Sequence, residues 1–151
     1  VYADPADLRA RTDMANASTL AGLAFSNAFV GTNHALAHAV GAAFGIAHGR
    51  ANAVFLPHVL RYNASLPSKF MPAPGYSAYV APDKYAQLGR VVFGGREPEE
   101  SRQRLFAGVD GLLAKTGMPH SLAELGVSRE EFEAPLTPPS RPSRSTRRSR
   151  R

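Results

Sequence analysis

The segment Phe25–Asn63, FSNAFVGTNHALAHAVGAAFGIAHGRANAVFLPHVLRYN, decides how this chain is read. It holds His34, His38, His48 and His58 among small and apolar residues, and the only histidine elsewhere is His120. On a helix, side chains four residues apart share one face, which puts His34 and His38 one turn apart. Gly41 and Gly45 allow the chain to turn back after them, so His48 is expected to return toward the same point. The spacing His-x3-His-x9-His is the sharpest chemical signal in the sequence.

Outward from this segment the pattern is helical. Asp4-Pro5 reads as an N-cap followed by proline in the first turn, opening a helix to about Ala28. Its Leu8, Met14, Leu20, Leu23 and Phe25 lie among many alanines and predict a buried helix or helix pair. Thr32 or Asn33 is the expected cap of a second helix, carrying His34 and His38 and stopping at Gly45. A third begins near His48 or Gly49, directs Ala51, Val54, Phe55, Val59 and Leu60 to the core, and is expected to kink at Pro57.

Residues 64–82, with Pro67, Pro72, Pro74, Gly75 and Pro82, read as a long surface connection. Asp83 is the expected cap of a helix containing Tyr85, Leu88, Val91 and Val92 and ended by Gly94-Gly95. Pro98-Glu99-Glu100 opens another, with Leu105, Val109, Leu112 and Leu113 on its buried stripe. Ser121-x-x-Glu124 and Ser128-x-x-Glu131 match the capping box, so two short helices should start there. Convincing strand alternation is absent, and the expected fold class is all-α.

Composition bounds the function. A chain of 151 residues with 44% hydrophobic content is expected to form one domain with a core. The absence of cysteine excludes disulfides, thiolate metal sites and a cysteine nucleophile. Apolar runs are all shorter than the roughly 20 residues of a membrane helix, so no membrane span is expected. Val1-Tyr2-Ala3-Asp4-Pro5 has neither an initiator methionine nor a signal pattern, and reads as the start of a piece of a longer, cytoplasmic protein.

The net charge of +6 is not spread over the chain. Residues 1–133, the expected helical domain, hold 12 Lys/Arg against 12 Asp/Glu, whereas residues 134–151 hold 6 Arg and no acid. That Pro/Ser/Arg tail has too little apolar surface to order itself and is expected to be disordered. With a neutral body and no basic stripe, nucleic acid is not the expected partner.

Imidazoles in apolar surroundings suit a borderline divalent metal such as Fe²⁺ or Zn²⁺. Residues 14–82 contain no Asp or Glu, so an ordinary site cannot be completed locally. One alternative is a non-enzymatic helical metal-binding module, for storage or for haem. A di-iron bundle of that kind places carboxylates opposite its histidines, and none is at hand.

The run from Ala17 to Asn63, ASTLAGLAFSNAFVGTNHALAHAVGAAFGIAHGRANAVFLPHVLRYN, closely resembles the helical C-terminal domain of iron-containing (group III) alcohol dehydrogenases. It is most similar to the alcohol dehydrogenase half of bifunctional aldehyde-alcohol dehydrogenases. KTGMPHSLAELGVSREEF at 115–132 is similar to the family's late segment, and the resemblance spans roughly Asp4–Phe132.

The resemblance implies roles for particular residues. His34 and His48 would be metal ligands for Fe²⁺, or Zn²⁺. His38 would lie beside the NAD nicotinamide and the substrate as a catalytic proton-relay or positioning residue. Phe25 would narrow the substrate pocket, His58 would be structural, and His120 a surface residue. The implied reaction is hydride transfer between a primary alcohol such as ethanol and its aldehyde. The family's remaining ligands, an Asp and a His, and its N-terminal nucleotide-binding domain would precede Val1. The chain would then be inactive alone and its parent a homo-oligomer. Ala39 and Arg50 depart from the family pattern, Arg50 bearing on how the third helix begins.

Overall fold

The structure, a computed structural model, describes residues 1–71 and 77–134. Among these the fold is all-α, without a strand. Six helices follow in order: α1 Leu8–Ala28, α2 Thr32–Phe44, α3 His48–Ala64, α4 Ala81–Phe93, α5 Pro98–Lys115 and α6 Arg129–Glu133, with a 3-10 turn at Ala123–Leu125. No helix among the described residues is long and apolar enough to cross a membrane. The expected tail at 134–151 lies, beyond Ala134, outside the described residues, as does the middle of the 64–82 connection.

The helix starts differ from expectation in instructive ways. Asp7 caps α1, its carboxylate accepting from Ala10 N at 3.0 Å, while Asp4 closes a tight turn by accepting from Ala6 N at 2.9 Å. Two candidate caps stand three residues apart, and the one nearer the apolar run takes the helix. Pro82 occupies the first turn of α4, so the helix begins at Ala81 and Asp83 lies inside that turn rather than capping it. Ser128 and Glu131 form the complete capping box of α6. Around Ser121 only a 3-10 turn forms, because Glu124 reaches back to His120 N at 3.0 Å and Gly126 stops the chain in a left-handed conformation. α3 runs through Pro57 without interruption, and Arg50 points into solvent at its start, where it does not disturb the packing.

Packing is concentrated in two neighbouring pairs, α4 with α5 and α2 with α3, and α3 also touches both α4 and α5. The core consists of Ala37 and Val40 from α2, Ala51, Val54 and Val59 from α3, Ala86 from α4, Leu105, Phe106 and Leu113 from α5, and Val127. On α3, Phe55 and Leu60 are only half-buried. The buried stripe of α4 is Pro82, Ala86 and Gly89, while the bulkier Leu88, Val91 and Val92 are exposed. Small residues win this face because α5 comes too near for large ones. Leu112 of α5 is likewise exposed.

α1 overturns the expectation of burial. None of its residues is buried, and Leu8, Met14, Leu20, Leu23 and Phe25 are all exposed. Its alanines and leucines supply helix propensity, and its apolar residues find no covering surface among the described residues.

The connection after α3 is tied down at both described ends. The Tyr79 hydroxyl donates to Asn63 O at 2.6 Å and the Tyr79 ring meets Phe70 edge-on at 5.9 Å. Burial, reinforced by the nearby Tyr85 and Tyr62, raises the Tyr79 phenol above its ordinary value and keeps it a donor.

Candidate functional site

α2 and α3 bring the histidines together at the loop between them. Gly45 ends α2 in a left-handed conformation at φ 67° that glycine adopts freely, and Gly41 comes so near the loop that a Cβ would stand 3.0 Å from Ile46 O. This tight reversal places His48, the first residue of α3, beside the first turns of α2. The His34 and His48 rings lie 5.4 Å apart between centroids, and His38 and His48 4.8 Å apart in an edge-on arrangement. Phe25, near the end of α1, meets His34 at 6.1 Å.

All four residues singled out in the sequence, Phe25, His34, His38 and His48, are therefore adjacent. His48 is the shared neighbour, its ring tilted 49° to that of His34 and edge-on to that of His38. His58 and His120 are exposed and stand apart from the cluster. The cluster is also more open than an apolar pocket: His34 is half-buried, whereas Phe25, His38 and His48 are exposed. Among the described residues no group of three or more His, Asp or Glu side chains is arranged to hold a metal ion. The imidazoles of His34 and His48 offer a borderline divalent cation two nitrogen donors and no carboxylate, which fits half of a coordination shell.

Two asparagines, Asn33 in a role other than the expected one and Asn52 absent from the sequence reading, complete the picture. Asn33, expected as the cap of α2, does not cap it: Gly31 holds that position without a side-chain bond. Instead Asn33 Nδ2 crosses to α3 and donates to Asn52 Oδ1 at 2.7 Å and to Asn52 O at 3.3 Å. Asn52 Nδ2 in turn lies 3.0 Å from both His48 O and His48 Nε2. The signal was present in the spacing, since Asn52 follows His48 by one helical turn and an amide there can reach back to it.

The chain matches the family model described as the Fe-containing alcohol dehydrogenase family, C-terminal, over residues 1–137. It is 39% identical over 129 residues to an aldehyde-alcohol dehydrogenase of Streptococcus pneumoniae, covering 85% of this chain and 15% of that protein. Over 86 residues it is 51% identical to aldehyde-alcohol dehydrogenase 2 of Entamoeba histolytica, covering 57% of this chain and 10% of that one. Among solved structures it is similar to a 1,3-propanediol oxidoreductase, with a TM-score of 0.68, 36% identity, and 84% of this chain matched to 30% of that chain. The chain thus spans a small part of the length of these relatives. Sequence and helical fold agree: the chain belongs to the iron-containing alcohol dehydrogenase family and corresponds to its C-terminal portion.

Proposed function

We propose that this chain is the metal-holding helical part of an NAD-dependent alcohol dehydrogenase that interconverts a primary alcohol, such as ethanol, and its aldehyde. The observation that carries the reading is the convergence of His34 and His48, from different helices, to a ring separation of 5.4 Å. The two residues would hold Fe²⁺, or Zn²⁺, which as a Lewis acid polarises an alcohol or carbonyl oxygen while the nicotinamide exchanges the hydride. His38, stacked edge-on against His48, is positioned to hold or pass a proton at the same face. Phe25 borders His34 and would narrow the approach of the alcohol.

With two nitrogen donors and no carboxylate nearby, the 151-residue chain alone is expected to bind metal weakly and not to turn over. The further ligands and the nucleotide-binding domain would come from a preceding segment, in keeping with relatives of which the chain covers 15%. The uncovered apolar residues of α1, Leu8, Met14, Leu20, Leu23 and Phe25, are the surface on which we place that segment. A cytoplasmic, homo-oligomeric parent is part of the same reading.

Anaerobic isothermal titration with Fe²⁺ and Zn²⁺ tests it, on the chain, on its His34→Ala/His48→Ala variant, and on the chain extended upstream. Tight, histidine-dependent binding confined to the extended protein, with NAD-linked alcohol oxidation, is the expected result. Equally tight binding by the short chain would instead make it a self-sufficient metal-binding module.

A further inference from the structure

The histidine cluster is spanned by the side-chain amide pair described above, and the polarity of that pair is set by backbone atoms. Asn52 Nδ2 lies 3.0 Å from His48 O, a carbonyl that can only accept, so the group facing it must be the NH2. The other end of the Asn52 amide is then its oxygen, which receives Asn33 Nδ2 at 2.7 Å. Asn33 is fixed in the same way, because its Nδ2 also faces Asn52 O at 3.3 Å. Turning the Asn33 amide over would set its oxygen against that carbonyl. Its orientation holds even though it leaves Asn33 Oδ1 buried without a donor.

A chain of consequences follows for His48. The NH2 of Asn52 is 3.0 Å from His48 Nε2 and can only donate there, so Nε2 must carry a lone pair and the ring hydrogen of the neutral imidazole must sit on Nδ1. We propose that Asn33 and Asn52 are positioning residues that fix the tautomer and ring orientation of His48, keeping Nε2 unprotonated with its lone pair held by the Asn52 amide hydrogen until an incoming ligand displaces that amide. The value of this for function rests on the proposed role of His48 as a metal ligand. A metal needs an unprotonated nitrogen, and a neighbour that selects the tautomer prepares it in advance. Because Asn33 adjoins His34 in sequence and Asn52 is one turn from His48, the same pair also ties together the two helix ends that carry both imidazoles.

The test is long-range ¹H–¹⁵N correlation NMR of the histidine-labelled 151-residue chain in mildly alkaline buffer, where Nδ1–H and Nε2–H tautomers have distinct nitrogen shifts. The expected spectrum shows His48 predominantly as Nδ1–H. Asn52→Asp still accepts from Asn33 but can no longer donate, and should reverse His48 to Nε2–H. Asn33→Ala, which leaves α3 untouched, should give a mixture. A wild-type His48 bearing its hydrogen on Nε2, or a tautomer unchanged in Asn52→Asp with helicity retained, would overturn the proposal.

Excess Zn²⁺ added to the wild-type sample separates this inference from the functional reading. Shifts at His34 and at His48 Nε2 support both. An Nδ1–H tautomer combined with His34 and His48 signals that ignore zinc both in this chain and in the chain extended upstream keeps the amide relay and removes the metal role.

Discussion

Gly89 of α4 lies directly against the backbone of Ser101 of α5: a Cβ on Gly89 would overlap the Ser101 carbonyl, 2.7 Å from its carbon atom. Ser101 is completely buried, its hydroxyl donating to Glu97 O at 2.9 Å, and Gly95 faces the same side chain closely enough that a Cβ would stand 2.6 Å from Ser101 Oγ. Backbone meets backbone here, with no flexible side chain to move aside. Gly89→Ala should therefore destabilise the chain by about 3 kcal/mol despite alanine's better helix propensity, at the upper end of overpacking costs. Thermal unfolding followed by circular dichroism checks it, and an unchanged or raised midpoint would show that the helices can separate without loss.

Phe29, the residue after α1, has φ 63° and ψ 169°, a conformation otherwise kept for glycine, and its side chain is 84% exposed. Strain of this kind costs about 1–3 kcal/mol and the side chain recovers little of it by packing. Phe29→Gly should raise stability by about 1 kcal/mol after allowing for glycine's greater unfolded-state entropy. A lower melting temperature for the variant would mean that the exposed ring contributes more than the backbone loses.

Three carboxylates make stability depend on pH. Glu99 is held below the usual carboxylate value by hydrogen bonds from Gln103 and Arg102, Glu100 by Arg96 N and the Arg104 guanidinium, and Glu131 by Ser128. A carboxyl group whose folded value is depressed stabilises the fold fully above its unfolded value, and that contribution is lost as pH falls through the lower, folded value. Unfolding midpoints should stay level from neutrality toward the unfolded carboxylate value and drop below it. Glu100→Gln should flatten that drop, and a variant profile that superimposes on wild type would contradict it. All three groups are at the surface, so the effect should also shrink in high salt.

α1 spans 21 residues without burying one, and its ring contact to the rest of the chain is Phe25 with His34. Helices that length depend mainly on tertiary packing for their stability in water. Amide hydrogen exchange should accordingly be fast along α1 and slow in α4 and α5 of the 151-residue chain. In a longer protein that covers Leu20 and Leu23, α1 should become protected. Strong protection in the short chain would show that α1 is already covered, by self-association or otherwise.

The fold was legible where residue chemistry acts locally. Proline at the first turn, glycine after the last, and the Ser128–Glu131 box each mark a boundary through bonds made within a few residues. Legibility failed where a partner surface decides. Leu88, Val91 and Leu20 look like core residues in any window, and only the near approach of α5 to Gly89, or the lack of a partner for α1, shows otherwise. The candidate site divides in the same way. The spacing of His34, His38 and His48 marks their shared neighbourhood, while their roles rest on family resemblance. Asn33 was misplaced as a cap because its true contact lies 19 residues away on another helix.

α3 is the helix through which α2 meets the α4–α5 pair, and every histidine of the cluster lies on its α2 side or at its own first residue. The tightest packing, at Gly89 and Ser101, contains no residue of that cluster. Changes at the imidazoles and changes at the α4–α5 crossing should therefore add independently, as effects at separated sites do. For descendants of this sequence the arrangement means that the chemistry can erode, residue by residue, while the helical scaffold persists.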